Sequence, residues 1–140
     1  MSSFVVDASV TLPWCFPDEA TPATEALLDR LYSGDKAIVP AHWPTEIMNG
    51  LVMAFRRKRI PLEKIFEFEQ ALTSLPIQIE LPIAPGSWKA VLMAAQEASL
   101  TVYDAAYLQL AVARQVPLAT FDKDLRRAAQ AASVPVLPME

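Results

Sequence analysis

Four acids in this 140-residue chain stand where apolar segments give way to turns or helix starts: Asp7 after "FVV", Glu46 in "PTEIMN", Asp104 in "VYDAAY" and Asp122 after "PLAT". Taking an ionised carboxylate out of water without compensation is costly, so each needs a cation, hydrogen-bond donors or an opening to solvent. Asp7 poses the problem most sharply. A β-branched apolar run leads straight into it, and the following "ASV" offers few charge partners. The other three each have an ordinary structural explanation: Glu46 and Asp104 suit helix N-termini, where an acid gains about 0.3–1 kcal/mol, and Asp122 can cap the last helix. Taken jointly they point to chemistry. Carboxylates gathered in one place repel one another, and a hard divalent cation with oxygen ligands is the economical remedy. Mg2+ or Mn2+ held in this way keeps waters and meets substrate phosphates, which implies phosphoryl-transfer or phosphodiester chemistry. The single histidine, His42, gives no pattern for zinc.

The elements that would carry these acids alternate. Residues 4–7 read as a short strand. "TPATEALLDRLYSG" reads as a helix with Thr21 as N-cap, Pro22 in its first turn and Gly34 at its C-terminal end, and "KAIVP" reads as a second strand. "HWPTEIMNGLVMAFRRKR" and "LEKIFEFEQALTSL" have helical spacing, "IQIEL" alternates as a strand does, and residues 87–98 and 102–114 read as two Ala-rich helices. "VPLATFD", "KDLRRAAQAA" and "VPVLP" close the chain as strand, helix and strand. The order β-α-β-α-α-β-α-α-β-α-β predicts an α/β domain with a mostly parallel central sheet. In such a sheet ligands gather outside the carboxyl ends of the strands where the strand order reverses, which is the place expected for Asp7 and Asp122.

Composition narrows the class further. Apolar residues make up 53% of the chain, too many for a disordered polymer, and a net charge of -4 with pI about 5.0 excludes binding to nucleic acid through bulk positive charge. The lone Cys15 permits no internal disulfide and is expected as a small buried hydrophobe. No leader pattern and no apolar run near the roughly 18 residues that span a bilayer is present, so a single domain over residues 1–140, without a membrane and in the cytoplasm, is the expectation.

"VVDASV", "PTEIMNGL", "LTVYDAAYLQLA" and "LATFDKDL" resemble, in order and spacing, the four motifs of PIN-domain nucleases, and within these the VapC-type toxins of toxin–antitoxin pairs. The resemblance implies a three-layer α/β/α sandwich and an acidic site that binds Mg2+ or Mn2+ and hydrolyses RNA, leaving a 5′-phosphate and a 3′-hydroxyl. It assigns Asp7, Glu46, Asp104 and Asp122 as catalytic and metal-binding acids, with Ser9, Asn49 and Thr120 lining the site. Asn49 lies one helical turn after Glu46, on the same face. It further implies a cognate antitoxin as partner and a homodimer. "TFDKDL" offers two last acids, and Asp122 is favoured over Asp124 because it directly follows the strand.

Around the acids, Arg56, Arg57, Lys58 and Arg59, with Lys123, Arg126 and Arg127, are candidate phosphate contacts. Phe66 and Phe68 cannot share a face, so part of their helix is expected to meet a partner. Tyr103 and Trp43 read as packing residues, and His42 as a satisfied surface or core residue. Two other functions compete: a catalytically degenerate PIN scaffold that binds RNA or protein, and a haloacid dehalogenase-like phosphohydrolase. The latter requires a second Asp two residues after the first, where this chain has Ser9.

Overall fold

The computed structural model describes residues 2–139. Its strands are β1 (Ser3–Val6), β2 (Lys36–Val39), β3 (Ile77–Ile79), β4 (Leu118–Ala119) and β5 (Val136–Leu137). They form one sheet in the order β3-β2-β1-β4-β5, parallel at every pairing. A central parallel strand is covered on both faces and so reads as an unbroken apolar run. That is why Phe4, Val5 and Val6, all fully buried, show no alternation, and Ala37, Ile38 and Val39 of β2 follow the same rule.

The helices are α1 (Ala8–Thr11), α2 (Pro22–Tyr32), α3 (Trp43–Arg56), α4 (Leu62–Thr73), α5 (Trp88–Ala98), α6 (Val102–Arg114) and α7 (Lys123–Ala131). They flank the sheet as an α/β/α sandwich, the architecture the resemblance implies, around the parallel sheet expected from the alternation of elements. Local chemistry sets their ends. Thr21 and Thr24 exchange side-chain and backbone hydrogen bonds in a capping box at the start of α2, and Gly34, with φ of 111°, turns the chain out of its C-terminus. Gly50 lets α3 lie close to the turn after α1: a Cβ there would sit 2.6 Å from Leu12 Cδ1. The four-residue α1 and the 3-10 turns at 12–14, 17–19 and 85–87 are too short to leave a periodic signal, and sequence patterning did not anticipate them.

From β1 the chain crosses to β2 and then β3 on one side, and later returns to lay β4 and β5 on the other. The order therefore reverses beside β1, and the crevice between the ends of β1 and β4 is the switch point. Register Val6↔Ala119 puts Asp7 next to Thr120, and the Asp7 amide donates to the Ala119 carbonyl at 3.2 Å.

Phe4 has no exposed surface, and the Arg30 guanidinium lies 4.7 Å above its ring. Phe4→Ala is expected to cost about 3–5 kcal/mol in urea unfolding, whereas Phe66→Ala on α4, where the ring is 59% exposed, should stay within about 0.5 kcal/mol.

Candidate active site

Asp7 closes β1 and caps α1 in the same step. Its Oδ1 accepts from Ser9 Oγ at 2.6 Å and from the Val10 amide at 3.3 Å, and its Oδ2 accepts from Thr120 Oγ1 across the crevice. Ser9 Oγ in turn accepts from the Phe121 amide at 2.9 Å, and Thr120 Oγ1 accepts from the Asp122 amide at 3.0 Å. Asp122 caps α7 by accepting from the Leu125 amide at 2.8 Å. Ser9 and Thr120 thus stitch the ends of β1 and β4 together around one carboxylate. Arg126 fixes the same edge from α7, donating to the carbonyls of Thr120 and Pro138 at 2.8 and 3.0 Å.

Glu46 and Asp104 come from two helices. Glu46 lies in the first turn of α3, where its Oε1 accepts from the hydroxyl of Tyr107 on α6. His42 Nε2 is 3.7 Å from the same oxygen and is buried without a hydrogen-bond partner. The His42 ring meets the edges of Tyr103 and Tyr107 at 5.5 and 5.1 Å. Asp104 stands in the first turn of α6, whose cap is Thr101 accepting from the Asp104 amide at 3.1 Å.

Electrostatics join the two halves. Burial raises the Asp7 carboxyl to about 6, against four hydrogen bonds that pull it down. Partial burial also raises Asp104, and the charges of Asp122 and then Glu46 raise it further. Asp104, Asp122 and Glu46 therefore lie close enough for their charges to act on one another, and the Thr101 hydroxyl and His42 offset only part of the effect on Asp104. Among the described residues, no group of three or more Asp, Glu, His or Cys side chains is already gathered as a cage for a metal ion. The donor chemistry nonetheless suits a hard divalent cation: all the ligating atoms are carboxylate oxygens, and bringing in positive charge relieves the repulsion on Asp104.

The remaining candidates separate. Asp124 is 65% exposed and pairs with Arg127 at 2.9 Å, away from the hydrogen bonds that bind Asp122 to the strand end. Asn49 is exposed and joins none of the site's hydrogen bonds among the described residues. Three of the seven candidate phosphate cations are already engaged: Arg59 on Asp18, Glu19 and the Phe16 ring, Arg126 on the carbonyls, and Arg127 on Asp124. Trp43 is buried and donates to Thr11, as a packing residue should, but Tyr103 is 65% exposed and His42 keeps an unpartnered nitrogen. Cys15 is only partly buried, and that burial raises its thiol to about 11, disfavouring the thiolate. Patterning missed Tyr107, which looks like one more apolar position of α6. Its spacing of three from Asp104 was the available signal.

The PIN domain family model matches residues 4–131. The chain belongs to the PIN domain family. PIN domains are generally nucleases. The fold is also similar to two crystal structures, one of PAE2754 from Pyrobaculum aerophilum and one of FitAcB from Neisseria gonorrhoeae. The first is 22% identical with a TM-score of 0.68, over 91% of this chain and 87% of that one. The second is 16% identical with a TM-score of 0.59, over 95% of each. No curated protein matches the chain.

The buried acid makes this PIN domain's stability depend on pH. The unfolded Asp7 carboxyl ionises near 3.8 and the folded one near 6. Between those values the folded chain keeps a proton that the unfolded chain has released, so stability falls as pH rises through the window, and the whole cost stands above it. In EDTA at pH 7.5, Asp7→Asn is expected to unfold at higher urea than the unaltered chain, by on the order of 1–3 kcal/mol. At pH 4 the difference should close. A strongly destabilised Asp7→Asn at pH 7.5 would make Asp7 a structural residue.

Proposed function

We propose that the chain is a Mg2+- or Mn2+-dependent endoribonuclease, the VapC-type toxin of a toxin–antitoxin pair, with residues 1–140 as one catalytic PIN domain acting in the cytoplasm. The observation that carries this reading is the gathering of Asp104, Asp122 and Glu46 beside the switch point that holds Asp7. Asp104 is raised by burial first and then by the charges of Asp122 and Glu46, and Asp7 is held at the switch point of a sheet whose chain matches the PIN model. Nucleases of this family typically use divalent metals. RNA, rather than another nucleic acid, rests on the likeness of "VVDASV", "PTEIMNGL", "LTVYDAAYLQLA" and "LATFDKDL" to the motifs of VapC-type toxins.

In this reading Asp7 and Asp104 chiefly hold the cation, with Glu46 and Asp122 as direct or water-mediated ligands. The cation supplies charge neutralisation at the phosphate and makes water more acidic. Ser9 and Thr120 keep both Asp7 oxygens oriented, and Thr120 ties that orientation to Asp122 through the Asp122 amide. Phosphate contacts fall to Arg56, Arg57, Lys58 and Lys123, which make no ion pair among the described residues and would render RNA binding salt-dependent. Asn49, exposed on α3, is available to substrate.

Two kinds of partner complete the reading, an antitoxin and a second copy of the chain. Leu81, Trp88 and Leu92, and on the α3–α4 side Met48, Phe55 and Phe66, leave apolar surface for them to cover. No helix among the described residues is long and apolar enough to cross a membrane.

Purified protein incubated with a mixed RNA pool and Mg2+ should cleave it, and EDTA should stop cleavage. Asp104→Asn should slow the reaction by at least about 100-fold, the upper end of what losing a metal site's outer partner costs. Asp124→Asn should cleave at close to the original rate. Cleavage that persists in EDTA, or survives Asp104→Asn, rules out the metal-nuclease reading. RNA binding without metal, unchanged by Asp7→Asn and without cleavage, would make the chain a scaffold.

A further inference from the structure

We propose that Tyr107 is a positioning residue: its buried hydroxyl holds Glu46 through Oε1 and fixes the side chain with Oε2, which accepts no hydrogen bond among the described residues, open to a cation at the acidic centre. This rests on the nuclease reading above and adds to it the group that aims one of the acids.

Tyr107 is 1% exposed, and its hydroxyl donates to Glu46 Oε1. A phenylalanine would fill that space in α6 with no polar atom to satisfy, so the hydroxyl is tolerated because Glu46 accepts from it. Glu46 gains more from the pairing. Its side chain is 37% exposed at the start of α3, and a free glutamate there would sample many rotamers. His42 also approaches Oε1, but 3.7 Å exceeds a hydrogen bond, which leaves Tyr107 as the donor. No hydrogen bond among the described residues reaches Oε2.

The arrangement also couples two acids through one helix. Tyr107 lies three residues after Asp104 on α6, so a single rigid element presents one carboxylate and orients another that comes from α3. The phenol supplies an O–H donor to a carboxylate that can only accept when ionised. His42, edge-on between Tyr103 and Tyr107, fills the space beside the ring.

Mn2+ titration without RNA, followed by calorimetry, tests the assignment in the unaltered chain, Tyr107→Phe, Glu46→Gln and the double variant. Tyr107→Phe is expected to weaken Mn2+ binding about 10-fold. Glu46→Gln should weaken it at least as much, and the double variant no further than Glu46→Gln alone. Tyr107→Phe that binds Mn2+ as tightly as the unaltered chain, or losses that multiply in the double variant, would overturn the proposal. A second measurement does not depend on how Tyr107→Phe folds. With 13C at the tyrosine Cζ, the Tyr107 signal of the unaltered chain should move on addition of Mg2+ and should stay fixed in Glu46→Gln; a signal unmoved in the unaltered chain overturns the proposal too. If the unaltered chain binds no Mn2+, the nuclease reading falls and this inference with it, whereas Mn2+ binding indifferent to Tyr107 removes this inference alone.

Discussion

The carboxylate of Asp7 is buried at the end of the central strand, and much of the surrounding structure answers that one constraint. Burial penalises its charge, and Ser9, Thr120 and the Val10 amide offset only part of the penalty, so the carboxyl is left near 6. To supply these donors the chain must end β1 and β4 in register, turn at once into α1 and cap α7 with Asp122. The switch point of the sheet is thus where strand ends, helix caps and acids meet, and a polar network there is worth more for being fully connected.

The second half of the site is built on helices rather than strand ends. α3 and α6 each place an acid in a first turn, where the helix dipole offsets some of the cost of a negative charge. Repulsion among Asp104, Asp122 and Glu46 remains. Stability and the gathering of acids therefore pull in opposite directions, the balance expected where local rules are broken for function. The donors that hold the acids are themselves buried: Thr120 for Asp7, Tyr107 for Glu46.

Much of the fold was legible because its signals are local. Alternating strand and helix patterns, the Thr21 cap and the apolar run of β1 depend on neighbours within a few residues, and the parallel sheet of an α/β domain follows from them. The short α1 and the 3-10 turns were not legible, since three or four residues carry no period. Among the site residues, Asp122 was favoured over Asp124 for its adjacency to a strand; in the structure Asp122 caps α7 and Asp124 pairs with Arg127. The cations were harder to read. A guanidinium at a helix end looks the same in sequence whether it faces solvent, a carboxylate or a ring, and Arg59, Arg126 and Arg127 proved to be engaged within the protein.

The sequence by itself determined which residues end the strands and start the helices, and with that the positions of Asp7, Glu46, Asp104 and Asp122 at element boundaries, because hydrophobic period and capping act over one or two turns. Only the tertiary structure decided who touches whom. Thr120 is 113 residues from Asp7, and Tyr107 is 61 from Glu46. Contacts of that separation are set by strand order and helix packing, and a tyrosine on an apolar helix face gives no sign in sequence of the acid its hydroxyl will hold.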